Sequence, residues 1–243
     1  MASILEKAVA VAMGDPVEAL SSQVDVTDKK DVPDSSETSG EGTKTNSRNL
    51  EPAPDLEAIN LDGCAPTDVE KINIISDGLN NFENLNPEAW EAMTPEQRLD
   101  LLSQVENFVS DVTLRPPCDV VMETMDSDLN GYNLGDKIAL NKELLQDGSA
   151  SSMEQALKTV LHEGRHAYQN WNIDVAQVEP NSELVDSWRL NRDMGYQNGE
   201  CGPFDFQQMG LKKYLTQPVE VDARVFAESV LQATNLNIGG YYA

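Results

Sequence analysis

Apolar positions recur along this chain at helical or alternating spacing, and the spacing breaks where Gly, Pro and Asn gather. Thr67-Asp-Val-Glu70 has the form of a capping box and opens a stretch that sets Val69, Ile72, Ile75 and Leu79 on one helical face. Asn86-Pro87 starts a short helical turn through Trp90. Thr94-Pro95-Glu96-Gln97 supplies an N-cap, a proline at the first helical position and a polar first turn. The helix behind it is predicted to bury Leu99, Leu102, Val105, Phe108 and Val109, and Arg115-Pro116-Pro117 stops it. Residues 118–125 are rich in β-formers, and 132–141 alternate around a Gly135-Asp136 turn, so two strand signals follow.

The strongest helical stripe comes next. Ser151 and Glu154 read as another capping box, and Met153, Leu157, Val160, Leu161, Gly164 and Tyr168 share one face. A helix at about 180–196 is predicted to bury Leu184, Val185 and Trp188. Gly-rich 197–210 reads as loop, and a last helix covers about 218–234. Trp90, Trp171 and Trp188 read as core.

Ahead of these elements the pattern fades. Residues 1–20 are compatible with a short amphipathic helix, whereas 21–54 carry almost no large apolar side chains. Such a stretch cannot bury enough surface to offset its ordering entropy. It reads as a flexible acidic leader, giving a division into 1–57 and a folded domain at 58–243.

Composition narrows the function classes. The 243 residues are 40% hydrophobic, enough for a sizeable core, and 42 acids against 17 bases give a net charge of −25. The excess is present in the first 60 residues (12 acids, 5 bases) and in the remainder (30 and 12). A chain this acidic repels nucleic-acid backbones and anionic lipid, and favours basic peptides or a basic partner. No apolar run approaches the ~20 residues of a membrane helix. The run at 8–13 is short for a secretion signal, and Glu6 stands where positive charge is expected. The expectation is a cytoplasmic protein, or one exported without a cleavable signal. Cys64, Cys118 and Cys201 form no C-x-x-C pair, which excludes a disulfide-dense scaffold and a zinc ribbon. One bridge plus a free thiol stays open.

The candidate chemistry lies in the longest helix. His162-Glu163-Gly164-Arg165-His166 is an H-E-x-x-H motif. At ~100° per residue, positions i and i+4 point within ~40° of each other, so both imidazoles can share one tetrahedral metal. Glu163, rotated by one residue, is placed as general base toward a water held there rather than as a ligand. Two exposed histidines on a helix are the ordinary alternative. Against it, the chain has only two histidines, both in this motif, and both border the buried stripe.

A third ligand must then be Asp, Glu or Cys. Glu183 lies 17 positions past His166, and Glu220 lies 54 past it. Ala223 and Ala227 follow Glu220 on one helical face, and small residues there let two helices approach closely. Leu184 and Trp188 beside Glu183 are larger. This favours Glu220 without excluding Glu183.

Leu161-His-Glu-x-x-His-Ala-Tyr-Gln169, followed by Glu220-x-x-Ala-x-x-Phe-Ala227, resembles the zincin metallopeptidases of the glutamate-ligand (gluzincin) type. It resembles small bacterial and phage-associated peptidases broadly similar to the ImmA/IrrE group. The resemblance covers roughly 118–235. It implies an α+β, zincin-like domain, largely helical, with a short antiparallel sheet packed on the H-E-x-x-H helix and a C-terminal ligand helix. It further implies one zinc ion on His162, His166 and Glu220, with Glu163 as general base. Lys137-Ile-Ala-Leu-Asn141 would be the edge strand that pairs with an extended polypeptide substrate. The third histidine of metzincins is absent.

Other residues have less specific readings. Asp222 could support a zinc site from behind its ligands, but ~200° around the helix from Glu220 it reads more simply as a surface or capping acid. Arg165 reads as a salt-bridged surface residue. Tyr168, Tyr214, Tyr241 and Tyr242 could each stabilise an oxyanion, and each is more simply core. Cys64 near the leader invites a latency-switch reading, but a lone cysteine has no need of one. The sequence therefore predicts a zinc metallopeptidase, an endopeptidase rather than an exopeptidase. Its rival is a non-catalytic acidic effector stabilised by zinc. A zinc hydrolase of non-peptide amides ranks last, because the cysteine ligand motif of peptide deformylase is missing.

Overall fold

Side-chain caps set where the helices begin. In α1 (Asp68–Leu79), Thr67 and Glu70 bond reciprocally to each other's backbone amides, and Thr94 and Gln97 do the same at α3 (Pro95–Val112). Between them α2 (Pro87–Ala92) starts under an Asn86 cap. The computed structural model describes residues 65–195 and 213–236. The expected leader, the loop at 197–210, Cys64, Cys201, Tyr241 and Tyr242 lie outside the described residues.

The chain leaves α3 through Leu114, whose φ of 57° breaks the helix before the prolines are reached. Arg115 then folds back onto Glu106, with contacts of 2.6 and 2.9 Å inside the core. Three strands follow: β1 (Asp119–Glu123), β2 (Gly131–Asn133) and β3 (Lys137–Asn141). β2 and β3 form a hairpin whose turn needs Gly135, at φ 76°. β1 pairs with the other side of β3 in parallel register, Val121 against Ala139.

The sheet is therefore mixed rather than antiparallel, and its order is β1-β3-β2. The expected edge strand, Lys137–Asn141, is the central one. The reason is the hairpin: once β2 occupies one side of β3, β1 can pair only with the other. Ile138, Ala139 and Leu140 are buried accordingly.

Asn141 caps a short helix, α4 (Lys142–Gln146), which the pattern did not announce. α5 (Ala150–Asp174) starts two residues earlier than the expected box would place it. Its cap is Ser149, not Ser151: Ser149 Oγ accepts from Ser152 N–H, while Asp147 holds the Ser149 amide and hydroxyl. Two serines in one pattern look alike, and the Asp147-Gly148 turn chooses the first.

α5 is the axis of the fold. It packs against α7 (Pro218–Ala233), α6 (Ser182–Gly195), α3 and strands β2 and β3. Met153, Leu157, Val160, Leu161, Gly164 and Tyr168 are all buried, as the stripe predicts. Val105, Phe108, Phe226 and Val230 meet that face in the main core. Tyr168, Val185, Trp188 and Val219 make a smaller cluster between α5, α6 and α7. Trp90 and Trp188 are fully enclosed, while Leu99, Leu184 and Trp171 are half-buried.

One face differs from expectation. Val69 is 47% exposed, because the inward positions of the first turn of α1 belong to Asp68 and Lys71. Lys71 bonds Tyr168 and Glu179 inside the core. Among the described residues no helix is long and apolar enough to cross a membrane.

Candidate metal centre

The site is built by the middle of α5 and the first turn of α7. An i, i+4 pair on α5 brings the two imidazoles edge to face, with His162 Nε2 and His166 Nε2 3.1 Å apart. Ala223 and Ala227, both fully buried, let α7 approach α5 closely, and Glu220 enters between the rings. His162 Nε2 lies 3.5 Å from Glu220 Oε2, and His166 Nε2 lies 3.5 Å from Glu220 Oε1. His162, His166 and Glu220 each offer one ligand atom, all within 4.8 Å of one another.

These spacings suit a metal. A tetrahedral site with bonds of ~2.0–2.1 Å keeps its donors ~3.3–3.4 Å apart. The Glu220 carboxylate is 2% exposed, whereas His162 and His166 keep 21% and 17% of their side-chain surface open. The acid is thus sunk behind the rings, and the open side of the triad faces outward. Glu183 is exposed on α6 and is not part of the triad.

The local field favours a cation. Burial opposes a charge on His166, yet the bond to Glu220 and the charges of Glu163 and Glu220 outweigh it and push the ring up to about 9. Burial raises the carboxyl of Glu163 above its ordinary range, and Glu220 adds to the rise. The two imidazoles and the Asn133 backbone N–H partly offset it. Two acids facing two neutral rings hold a surplus of negative charge, which a proton or a divalent cation satisfies.

A cleft of about 340 Å³ opens beside the triad. Glu163, His166 and Glu220 reach it on one side, and Tyr132, Asn133 and Tyr214 line it elsewhere. Of the expected tyrosines, Tyr214 therefore stands at the cleft. Tyr168 is core: its hydroxyl donates to Glu179, 2.9 Å away. Cys118, in the described region, is a buried free thiol pushed up to about 11, chiefly by burial, and takes no part in the triad.

Two sequence expectations change here. Arg165 is salt-bridged but buried, 1% exposed, with its guanidinium over the rings of Tyr168, Trp188 and Phe226. Burial works against its charge, but Asp222 and Asp68 together hold it well above its usual value. Asp222 is no surface acid. It accepts from Arg165 at 2.8 and 3.0 Å and from Gln169 at 2.7 Å. The long side chains of Arg165 and Gln169 reach from α5 to Asp222, which the position of Asp222 on its own helix could not announce. The sequence motif ends on Gln169 without giving it a role, and Asp68 has none there either. Gln169 had a local signal, since i+3 from His166 shares its face. Asp68, nearly a hundred positions from Arg165, had none.

The chain matches no family model, no curated protein and no solved structure. What the fold and site define is a mixed, mostly helical α+β protein with a small three-stranded sheet and a possible His-His-Glu metal triad.

Proposed function

We propose that this chain is a zinc-dependent metallopeptidase of gluzincin type. The observation that carries the reading is the convergence of His162, His166 and Glu220, one ligand atom from each within 4.8 Å of the others, with Glu163 beside them on the cleft. The donor set fits zinc: two imidazoles and one carboxylate match a catalytic site that keeps a fourth position open. When bound, zinc supplies a Lewis acid that polarises a carbonyl and makes water acidic enough to attack near neutral pH.

The residues of the chain do the rest. Glu163 accepts the proton of the attacking water and returns it to the departing amine. A carboxyl whose proton affinity is raised by burial is suited to both steps. An extended peptide lies along the outer side of β2. That strand is bonded only to β3 in the sheet, and its residues Gly131, Tyr132 and Asn133 line the cleft. Backbone pairing there orients the scissile bond toward Glu163. The net charge of −25 favours basic peptides.

The test is cleavage of a basic peptide library by the zinc-loaded chain, alongside Glu163→Gln. The proposal expects chelator-sensitive cleavage, and a loss of ~10²–10⁴-fold in the variant with zinc retained. Zinc binding without cleavage by the wild type would point instead to a non-catalytic, zinc-stabilised protein.

A further inference from the structure

We propose that Gln169 is the positioning residue of the triad, which sets the tautomer of His166 and holds the Glu220 turn of α7 against α5. The inference rests on the zinc reading above and deepens it.

A glutamine amide can face either way, and here its nitrogen end decides. Gln169 Nε2 donates to the Val219 carbonyl at 2.9 Å and to Asp222 Oδ2 at 2.7 Å. Both partners only accept, Asp222 being ion-paired with Arg165 through two contacts. The NH2 group must therefore face them, and Oε1 must face His166. His166 Nδ1 is 2.8 Å from that oxygen. An amide oxygen brings no proton of its own, so the hydrogen of the neutral ring sits on Nδ1. The lone pair is then on Nε2, the atom that faces Glu220 Oε1 at 3.5 Å.

The same amide grips both sides of the acid. Val219 and Asp222 flank Glu220 in the first turn of α7, and Gln169 bonds to each. At 2% exposure Gln169 does not share these bonds with bulk water. One side chain thus fixes the His166 ring and the backbone that carries the third ligand. A glutamate at 169 would face Asp222 without a donor between them and lose the bond that Gln169 donates to the Val219 carbonyl. The neutral amide also leaves the imidazole less electron-rich than a carboxylate partner would, which keeps a bound cation more electrophilic.

Nitrogen-15 NMR tests this directly, because the chain has only two histidines to assign. In the wild type the His166 hydrogen is expected on Nδ1 in the zinc-loaded chain. The same result is expected in the metal-free chain at alkaline pH, where the ring is neutral. Gln169→Leu is expected to bind zinc ~10–100-fold more weakly and to lose the Nδ1–H preference in its metal-free form. A wild-type, metal-free His166 with its hydrogen on Nε2 would overturn the proposal. So would a folded Gln169→Leu chain with unchanged zinc affinity and tautomer. If that variant does not fold, the wild-type tautomer decides alone. Failure of the wild type to bind zinc would overturn the zinc reading, and the metal-free tautomer would still decide the role of Gln169.

Discussion

His166 Nε2 and Glu220 Oε1 stand 3.5 Å apart, although 54 positions separate the two residues in the chain. Their meeting depends on the alanine face of α7, and it brings a buried carboxylate against the two rings of α5. Glu220→Ala should lower zinc affinity by more than the ~10–100-fold that loss of an outer partner costs. Glu183→Ala, on the exposed side of α6, should leave it unchanged. Competition with a chromophoric chelator measures both.

Arg165 joins three helices through Asp68 and Asp222, with contacts of 2.7 and 2.8 Å. Removing the cation leaves two acids facing each other across buried aromatic rings. Arg165→Met should therefore destabilise the fold by about 3–5 kcal/mol, measured by urea unfolding of the metal-free protein.

Asp68 gives that link a pH signature. Burial raises its carboxyl, but the charges and bonds of Arg165 and then Lys71 lower it further, to about 2 from an ordinary 3.8. The folded state thus binds this proton more weakly than the unfolded chain does. The resulting stability, about 2 kcal/mol, is fully present above pH ~4 and is lost as pH falls toward ~2. Asp68→Asn should be less stable near neutral pH, and its stability should fall less steeply between pH ~4 and ~2. Urea unfolding at a series of pH values would reveal a parallel slope if Asp68 were not responsible.

Gly164 lies inside the H-E-x-x-H motif, opposite the buried Arg115–Glu106 pair. A β-carbon there would come within 2.9 Å of Arg115 Nη2 and 3.1 Å of Glu106 Oε2. Neither partner is a loose surface tip, since both are enclosed. Gly164→Ala should cost about 1–3 kcal/mol despite the better helix propensity of alanine, and thermal melts would register it.

Legibility in the sequence followed the range of each interaction. The α5 stripe and the i, i+4 imidazoles were readable because a helix makes near neighbours in sequence near neighbours in space. Glu220 was readable in part, through the small residues at Ala223 and Ala227. The centrality of β3 was not, because alternation marks a strand without naming its partners. Nor was the paired role of Asp222, since its angle on α7 does not reveal that the Arg165 and Gln169 side chains of α5 reach it. Val69 misled because apolar periodicity cannot register that Arg165 and Glu179 draw Asp68 and Lys71 inward.

The most direct test of the central claim is the zinc content of the purified wild-type chain beside Glu220→Ala. The account predicts one chelatable zinc per wild-type chain and a large loss of occupancy in the variant. A wild type that takes up no zinc, or a variant that holds as much of it, would contradict the account.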